Sequence, residues 1–378
     1  MVTLPFTAFL VAGVLAVPSQ SKDCSLPEKK GLRFATFNTS LNRPKQGQLI
    51  DELKMRKSIA AQRIAEVVSH VNPDVLLLQE VDQSSDQQTL EVLYQKYLRP
   101  QLSSGHQGFP YRHHFSSNTG LTTPYDLDRN GKLNGPGDAQ GFGFHPGQYA
   151  FALLSKVPFE KSQLRSFQTM LWKDFPGHHL DDIRTSAEPW YPDEVRRILR
   201  LSSKNHIAVP LQYKQQTVWI LAAHPTPPVF DGAEDRNGWR NFDEIGLIKS
   251  LVVGQSLRSD QGQMFQIPTN DSFVVLGDLN ADPSRGDGQT GAIQQLLDSS
   301  RVHQRTARGD LVPSSNSAVD DAKYDTATFG LRVDYVLPSN TMNVYASGIC
   351  RAPTVNGKPI TDHHLVWVDA EPKQRAQP

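Results

Sequence analysis

Short apolar runs that end in polar residues recur along this chain. The clearest is the run 272–276, which continues into the residues GDLN and so reaches Asp278 and Asn280. Such a run predicts a buried strand, and side chains two apart on extended backbone point the same way. Asp278 and Asn280 are therefore predicted to lie side by side at the end of a sheet. A turn that merely favours Asp and Asn is the alternative interpretation.

Five further segments share this form, with polar residues beside an apolar strand. They are 32–38, 74–80, 218–224, 332–337 and 361–368, which carry Asn38, Glu80, His224, Asp334, Asp362 and His363. Carboxylate, amide and imidazole groups at strand ends suit phosphate ester hydrolysis, because they can move a proton and stabilise charge on phosphorus. Each segment alone can also be an exposed strand end, a turn or a loop.

The spacing of apolar residues predicts helices between these strands. The predicted helices are 54–71, 89–98, 242–257 and 291–297, and further strands are predicted over 164–167 and 207–213. Short strands joined by both hairpins and helices predict two mixed sheets packed face to face, with helices outside. The stretches 100–147 and 168–196 exceed ordinary loop length, which marks them as functional or disordered insertions.

The charge balance weighs against one class of function. The chain has 378 residues with 39 basic and 39 acidic side chains, so its formal net charge is zero. It contains no run of basic residues, whereas non-specific duplex binding relies on neutralising many phosphates. A scavenging duplex nuclease is therefore disfavoured, although a bound cation would supply local positive charge.

The N-terminal sequence predicts an exported protein. Residues 3–17 form an apolar stretch that is too short to span a bilayer. Small residues follow it, so residues 1–21 are predicted to be a signal peptide and the protein to be secreted or periplasmic. No Lys or Arg precedes the stretch, which leaves a buried N-terminal strand as the alternative. No later segment is apolar enough to predict an integral membrane helix.

Taken in order from 32 to 368, these segments resemble the motifs of the endonuclease/exonuclease/phosphatase superfamily of metal-dependent phosphoesterases. Its members include pancreatic-type deoxyribonucleases, apurinic endonucleases, sphingomyelinases and inositol polyphosphate phosphatases. The residues SLNR, HPTPPVFDG, EDRNG and GDLNADP look closest to an exported bacterial branch. The resemblance implies an α+β fold, a four-layer α/β/β/α sandwich of two mixed sheets flanked by helices. It also implies one catalytic domain over about residues 30–370.

The resemblance implies a divalent cation, Mg²⁺ or Mn²⁺. Glu80 would be its direct ligand with Asn38 nearby, and Asp334 would either serve the metal or orient a histidine. Carboxylate oxygens suit hard Mg²⁺, which keeps several waters and binds substrate phosphate. The family's sheet arrangement also brings the chain ends together, so it implies a disulfide between Cys24 and Cys350. Two unpaired thiols are the alternative.

The resemblance also implies how a water would be activated and how charge would be stabilised. His363 would be the general base, with Asp362 fixing its tautomer and Asp278 assisting. The groups that would contact the phosphate and its developing charge are Asn280, His224 and Tyr149. Taken alone, Tyr149 is better explained as a core or rim aromatic.

A second, structural cation is suggested within the insertion 100–147. Asp126, Asp128, Asn130 and Asn134 take positions one, three, five and nine of a calcium-loop pattern, with a glycine at position six. Position twelve is a glycine, and Asp138 comes one residue later. The pattern therefore predicts a structural Ca²⁺, and a solvated Asp/Asn turn is the alternative.

The predicted function is a metal-dependent phosphoesterase that cleaves phosphodiester or phosphomonoester bonds by in-line attack of water. The substrate would be a nucleic acid, a phospholipid headgroup or a small phosphoester, and no protein partner is indicated. The candidates for recognising substrate groups are Arg197, Asn237, Arg240 and Asn241. A non-catalytic or calcium-dependent binding module on the same fold is the alternative.

Overall fold

The computed structural model describes residues 24–86, 88–102, 107–309, 323–351, 354–355 and 358–374. The signal peptide predicted at residues 1–21 lies outside the described residues. Among the helices in these ranges, none combines the length and the apolar character that crossing a membrane demands.

The first sheet has six strands. Their spatial order is β12 (Met342–Cys350), β15 (Leu365–Pro372), β1 (Leu32–Leu41), β2 (Val75–Val81), β4 (Ala152–Ser155) and β3 (Tyr111–His114). Strands β1 and β2 are parallel, with Phe37 opposite Leu78, whereas the other neighbours are antiparallel. The parallel pair brings the carboxyl ends of β1 and β2 to the same edge.

The second sheet has five strands. Their order is β11 (Asp334–Pro338), β10 (Ser272–Asp278), β7 (Gln216–Ala223), β6 (His206–Tyr213) and β5 (Arg165–Ser166). Strands β7 and β10 are parallel, with Ile220 opposite Val274, so their carboxyl ends also meet at one edge. Two small hairpins lie outside the main sheets, formed by β8 (Leu257–Arg258), β9 (Met264–Phe265), β13 (Thr354–Val355) and β14 (Lys358–Pro359).

The helices are distributed over the outer faces of the two sheets. They are α1 (Gln48–Lys54), α2 (Ile59–Val71), α3 (Thr89–Leu93), α4 (Arg99–Gln101), α5 (Asp193–Arg196), α6 (Arg236–Val252), α7 (Gln294–Leu297) and α8 (Gln304–Ala307). A π-helical segment, Tyr94–Leu98, joins α3 to α4. Short 3-10 turns occupy Pro136–Asp138, Lys161–Gln163 and Trp172–Asp174.

Three hydrophobic clusters hold the layers together. Phe34 and Leu77 of the first sheet pack between the sheets against Ile220 and Val274 of the second. Because side chains alternate along a strand, the neighbours of these residues face outward and meet helices. Helix α2 covers the first sheet and α6 covers the second. The predicted α+β sandwich of two mixed sheets flanked by helices is confirmed.

Three predicted helices have different boundaries in the structure. The shortest, predicted over 291–297, is limited to α7, Gln294–Leu297. The helix predicted over 54–71 is in fact α1 and α2, because Arg56 adopts a left-handed φ of 55° and Ser58 caps a new helix at the backbone N–H of Ala61. The helix predicted over 242–257 is α6, which begins about one and a half turns earlier, at Arg236. It ends before Gly254, whose φ of 79° breaks the helix.

The two long insertions contribute to the ordered fold. Within 100–147, β3 pairs with β4 and extends the first sheet, so this stretch is not all loop. Within 168–196, Trp172, Leu180, Ile183 and Tyr191 are buried in the cluster beneath α6. The described residues of both stretches therefore pack into the fold and contribute to its core and sheets.

The predicted disulfide is confirmed. Cys24 and Cys350 are bonded across 326 residues, with their Cα atoms 4.9 Å apart. The bond ties the segment before β1 to the end of β12, at the edge of the first sheet. A native disulfide of this kind contributes about 2–5 kcal/mol to stability, chiefly by restricting the unfolded chain.

Candidate functional site

The carboxyl ends of β1, β2, β7 and β10 converge on one cluster that joins the two sheets. Asn38, from β1, donates its side-chain amide to Asp278 Oδ2 at 2.9 Å and to Glu80 Oε1 at 3.2 Å. Asn42 donates to the other oxygen of Glu80 at 2.8 Å. One amide therefore links the first sheet to the second, and it sets Glu80 and Asp278 on either side of it.

His363 lies in the same cluster, just before β15. Its Nδ1 is 2.9 Å from Asp334 Oδ2, and its Nε2 is 3.6 Å from Asp278 Oδ2. Burial alone would lower the pKa of His363, but the carboxylates of Asp334 and Asp278 outweigh it and hold that pKa well above its ordinary value. The imidazole is thus fixed by one carboxylate and directed at another.

Of the two carboxylates predicted to orient a histidine, Asp334 and not Asp362 contacts Nδ1 of His363. Asp362 Oδ1 is 3.9 Å from Nε2 of His363, and the Asp362 side chain is 56% exposed. It accepts a hydrogen bond from the hydroxyl of Ser40 at 3.0 Å instead. Asp334 reaches the imidazole because β11 runs antiparallel to β10 with Asp334 opposite Asp278. Asp362 remains at the mouth of the cleft.

The buried carboxylates give the site its electrostatic character. Burial raises the pKa of Asp278 to about 6, while His363 opposes the rise and Asp334 adds to it. Burial likewise raises the pKa of Glu80, and the hydrogen bond from Asn38 opposes the rise. Buried carboxylates are costly unless they are paired or coordinate a metal. This cluster therefore favours binding of positive charge.

The donor set fits a hard divalent cation. Potential ligand atoms of Asp278, Asp334 and His363 lie within 4.8 Å of one another. Glu80 adds carboxylate oxygens at the edge of the same cluster, and Asn38 lies beside them with its amide nitrogen directed at Glu80 and Asp278. Oxygen-rich sets of this kind suit Mg²⁺ or Mn²⁺ more than the softer metals.

Three predicted site residues have left-handed backbone conformations. The φ angles are 57° at Glu80, 56° at Tyr149 and 52° at Asn280. Such conformations cost on the order of 1–3 kcal/mol each for residues other than glycine, and they cluster at functional sites. Asp82 stabilises one of them by accepting the backbone N–H of Tyr149 at 3.1 Å. The strain at these positions aims their side chains into the cleft, whose lining includes all three residues.

His224 and Asn280 lie beside Asp278. His224 Nε2 is 3.5 Å from Asp278 Oδ2, and burial together with the charges of Lys204 and His363 holds the pKa of His224 well below its ordinary value. The lowered pKa favours a neutral imidazole, which can still donate a hydrogen bond. The side chain of Asn280 donates to the carbonyl of Pro225 at 3.1 Å, which fixes the amide at the rim of the cleft.

Lys204 is the functional candidate that sequence reasoning did not single out. It lies two residues before β6 and is buried, and it lines the cleft together with Glu80 and Asp278. Burial lowers the pKa of Lys204, whereas the charges of Glu244, Glu80 and Asp278 raise it. The basic composition of the segment 196–204 was the available signal. Which of its cations faces the cleft depends on how the segment packs against α6.

The four predicted recognition residues have different positions. Arg197 is exposed at the end of α5 and lies outside the cleft lining, whereas Asn237 and Arg240 belong to that lining. All three α6 candidates lie in its first turns, not in a loop before it. The Arg240 guanidinium donates to the carbonyls of Leu201 and Arg200. Asn241 is fully buried. Its side-chain amide donates to the backbone carbonyls of Thr226 at 2.8 Å and Leu279 at 3.0 Å, so it connects α6 to the segments that follow β7 and β10.

The calcium-loop pattern forms a compact acidic cluster. Carboxylate oxygens of Asp126, Asp128 and Asp138 lie within 4.8 Å of one another, so Asp138 joins the group although it stands one residue late. Asp126 also accepts the backbone N–H groups of Asn130 and Gly131. The oxygen of the Asn130 side chain accepts the N–H of Lys132, and Asn134 has a left-handed φ of 65°.

The cluster around Glu80, Asp278 and His363 lines a cleft of about 600 Å³. Its walls come from both insertions, from the segment after His224 and from the segment after Asn280. Apolar side chains contribute much of the lining, among them Leu127, Leu199, Val229 and Leu331. This volume lies in the range of small-molecule sites, so the cleft can hold a substrate well beyond a single phosphate group.

Comparison with known families gives one match that covers most of the chain. The model of the endonuclease/exonuclease/phosphatase family matches residues 35–363. No curated protein matches the sequence.

Several solved structures are similar to this chain at low sequence identity. An endonuclease/exonuclease/phosphatase protein of Beutenbergia cavernae DSM 12333 is 15% identical, with 90% of this chain and 71% of that chain covered and a TM-score of 0.50. The human Nocturnin catalytic domain is 15% identical over 91% and 96% of the two chains, with a TM-score of 0.46. A mannosyl-6-phosphatase of Bacteroides thetaiotaomicron VPI-5482 is 13% identical over 90% and 100%, with a TM-score of 0.47. The first of these similarities supports the same fold.

Proposed function

The chain belongs to the endonuclease/exonuclease/phosphatase family, and on that premise we propose that it is a metal-dependent phosphoesterase. The proposal rests on a cluster of five residues in contact where strands of both sheets end, which we call the catalytic cluster: Asn38, Glu80, Asp278, Asp334 and His363. A binding module has no need of a buried base, its orienting carboxylate and an acidic metal site together. The hydrolase is therefore favoured over the non-catalytic alternative.

Glu80 would be the direct ligand of the divalent cation, with Asn38 nearby and Asp278 at the opposite side of the cluster. When bound, Mg²⁺ or Mn²⁺ supplies a Lewis acid that polarises the phosphoryl oxygen and stabilises the leaving oxygen. Asn42 holds one oxygen of Glu80, so the other is directed towards Asn38 and the centre of the cluster.

His363, in its deprotonated form, would take the proton from the attacking water with Asp278 assisting, and the raised pKa of His363 shifts that form to higher pH. Asp334 fixes Nδ1 of His363, which leaves Nε2 directed into the cleft. The pKa of Asp278, raised to about 6, lies near the working range of a general base at neutral pH. The two groups are 3.6 Å apart, so the charge of the Asp278 carboxylate acts directly on the imidazole.

The developing negative charge would be stabilised by groups that surround Asp278. His224 and Asn280 supply neutral hydrogen-bond donors, and Lys204 supplies a buried cation. Tyr149 lines the same end of the cleft. Preorganised donors of this kind are each worth roughly 10²–10³ in rate.

The cleft favours a phosphodiester or a phosphomonoester with a sizeable substituent. Turnover of bis-(p-nitrophenyl) phosphate and p-nitrophenyl phosphate can be compared in Mg²⁺, Mn²⁺, Ca²⁺ and chelator. We expect hydrolysis that requires the cation, and the diester/monoester ratio decides between a nuclease or phosphodiesterase and a phosphatase. Cation-independent hydrolysis would contradict the proposal.

We also propose that the acidic cluster of Asp126, Asp128 and Asp138 binds a structural Ca²⁺. A ligand that binds only the folded state raises its melting temperature, so Ca²⁺ should raise the Tm by a few degrees. Calorimetry of Asp128→Asn should show a smaller rise, whereas Asp298→Asn, an exposed carboxylate in α7's C-terminal turn, should keep it. An equal rise in both variants would place the ion elsewhere.

Export from the cytoplasm is proposed on two features. The apolar stretch at residues 3–17 fits a signal peptide, and the Cys24–Cys350 disulfide fits an oxidising compartment. Mass spectrometry of the N-terminus of the protein purified from its natural host would test this. An intact Met1 would contradict it.

A further inference from the structure

The mouth of the cleft carries most of the exposed phenylalanine side chains in the described part of the chain. Those side chains are Phe142, Phe144, Phe230 and Phe329. Three of them line the same cleft as the catalytic cluster, and we call these three, Phe142, Phe230 and Phe329, the phenylalanine rim. The fourth, Phe144, packs edge-on against Phe142 at 5.7 Å between centroids. Exposed apolar groups gathered at one place mark an interaction site.

Phe230 is the most exposed member of the rim, and hydrogen bonds hold the residues on both sides of it. Its side chain is 88% exposed, and its backbone φ is 69°, a conformation that is strained for any residue with a Cβ. Asn237 donates to the carbonyl of Val229 at 2.7 Å, and Asp231 accepts the N–H of Asn237 at 2.6 Å. The two residues that flank Phe230 are thus tied to the start of α6, which holds the ring out at the mouth of the cleft.

Phe329 links the rim to the chemistry. It is 51% exposed, and its ring lies edge-on to the imidazole of His363 with 5.6 Å between centroids. A substrate group that packs against Phe329 would therefore lie next to His363, the proposed base. Phe329 thus places one member of the rim beside this base, where the substituent of a phosphate ester would lie.

Charge at the mouth favours an uncharged flat group over a polyanion. Arg236 is paired with Glu234, and Arg285 is paired with Asp282 and Asp325. Neither guanidinium is therefore free of a carboxylate partner, and Lys204 is buried deeper in the cleft. One phosphate fits at the catalytic end, but a row of phosphates along the mouth would meet few unpaired cations.

We propose that the phenylalanine rim stacks against a planar ring, a nucleobase, carried by the phosphate ester. This inference rests on the proposed phosphoesterase function and narrows its substrate class to nucleotide-type esters. Aromatic side chains stack on any base because every base has a π-face. The rim would hold the base, while the neighbouring catalytic cluster holds the phosphate.

Binding can be measured without turnover by the fluorescence of a 2-aminopurine nucleotide in chelator, since stacking quenches this base. Phe230→Ala should weaken binding by roughly 5- to 150-fold, the range found when base-stacking aromatics are replaced. Phe230→Leu keeps the apolar character but loses the ring, and should weaken binding almost as much. Phe230→Trp should preserve it. All three variants share the left-handed backbone, so they change only the side chain.

Met264→Ala serves as the matched control, because Met264 is exposed but does not line the cleft. Equal binding by Phe230→Leu and the wild type would overturn the inference, since it would show that apolar area rather than a ring is recognised. Binding of phosphatidylcholine vesicles that is lost in Phe230→Ala, with no nucleotide binding, would likewise overturn it in favour of a lipid surface.

A hydrolysis assay with two substrates tests this inference separately from the proposed function. A dinucleoside monophosphate should be hydrolysed faster than its abasic analogue, which has the same scissile diester. Equal hydrolysis of both would reject base stacking and leave the phosphoesterase in place. Hydrolysis of neither, with intact 2-aminopurine binding that depends on the ring at position 230, would reject the phosphoesterase and leave the ring site.

Discussion

Replacing His363 with alanine should lower kcat for bis-(p-nitrophenyl) phosphate by roughly 10²–10⁴-fold, the usual contribution of a positioned general base. The imidazole is the group that Asp334 orients towards Asp278, with Nε2 3.6 Å from Oδ2. Steady-state kinetics at saturating Mg²⁺ measures the change. Retention of most of the activity would remove His363 from the mechanism.

Two further variants separate chemistry from folding in this experiment. His363 is buried against Asp334, so its removal leaves a buried carboxylate without its partner, which destabilises proteins. His363→Gln offers an amide donor to Asp334 and should be stable yet inactive. His178→Ala removes a partly exposed histidine outside the cleft lining and should keep full activity.

The strands and the site cluster follow from local sequence. Each of β1, β2, β7 and β10 is an apolar run that ends in polar residues, and this pattern depends only on which residues neighbour each other along the chain. Parallel pairing then places Asn38 beside Glu80, and packing of the two sheets places Asn38 against Asp278. A short segment with alternating or continuous apolar residues therefore predicts both a strand and the end at which its polar residues appear.

Helix boundaries and site partners depend on contacts that local sequence does not contain. Helix α6 begins at Arg236 because Asp231 receives the N–H of Asn237, and a spacing of apolar residues cannot reveal that bond. The orienter of His363 is likewise decided by strand register. Asp362 adjoins His363 in sequence, but Asp334 reaches Nδ1 because β11 lies next to β10.

The exposure of the phenylalanine rim also could not be predicted from local sequence. Phenylalanine predicts burial, and most of the chain's phenylalanines in the described ranges are indeed buried. That Phe230 is exposed follows from its left-handed backbone and from the bonds that hold its neighbours to α6. Only the folded arrangement shows that Phe142 and Phe329 line the same cleft.

Replacing Asp334 with asparagine should produce the second largest loss, a fall in kcat on the order of 10²-fold or more, comparable to removing one preorganised group. Asp334 carries the negative charge nearest to Nδ1 of His363, at 2.9 Å. Because that charge helps to hold the pKa of His363 above its ordinary value against the effect of burial, its removal should lower this pKa. The limb of the pH–rate profile that reports deprotonation of His363 should therefore move to lower pH.

The matched variant is Asp362→Asn, because it distinguishes the two carboxylates near this histidine. The Asp362 carboxylate is 3.9 Å from Nε2, is 56% exposed and is screened by solvent. Its removal should leave that limb of the kcat/KM profile nearly in place, whatever it does to the rate. A shift with Asp362→Asn and none with Asp334→Asn would instead assign the orienting role to Asp362. Because the position of the limb responds to charge beside the imidazole, this readout would not move if Asp334 only supported the fold.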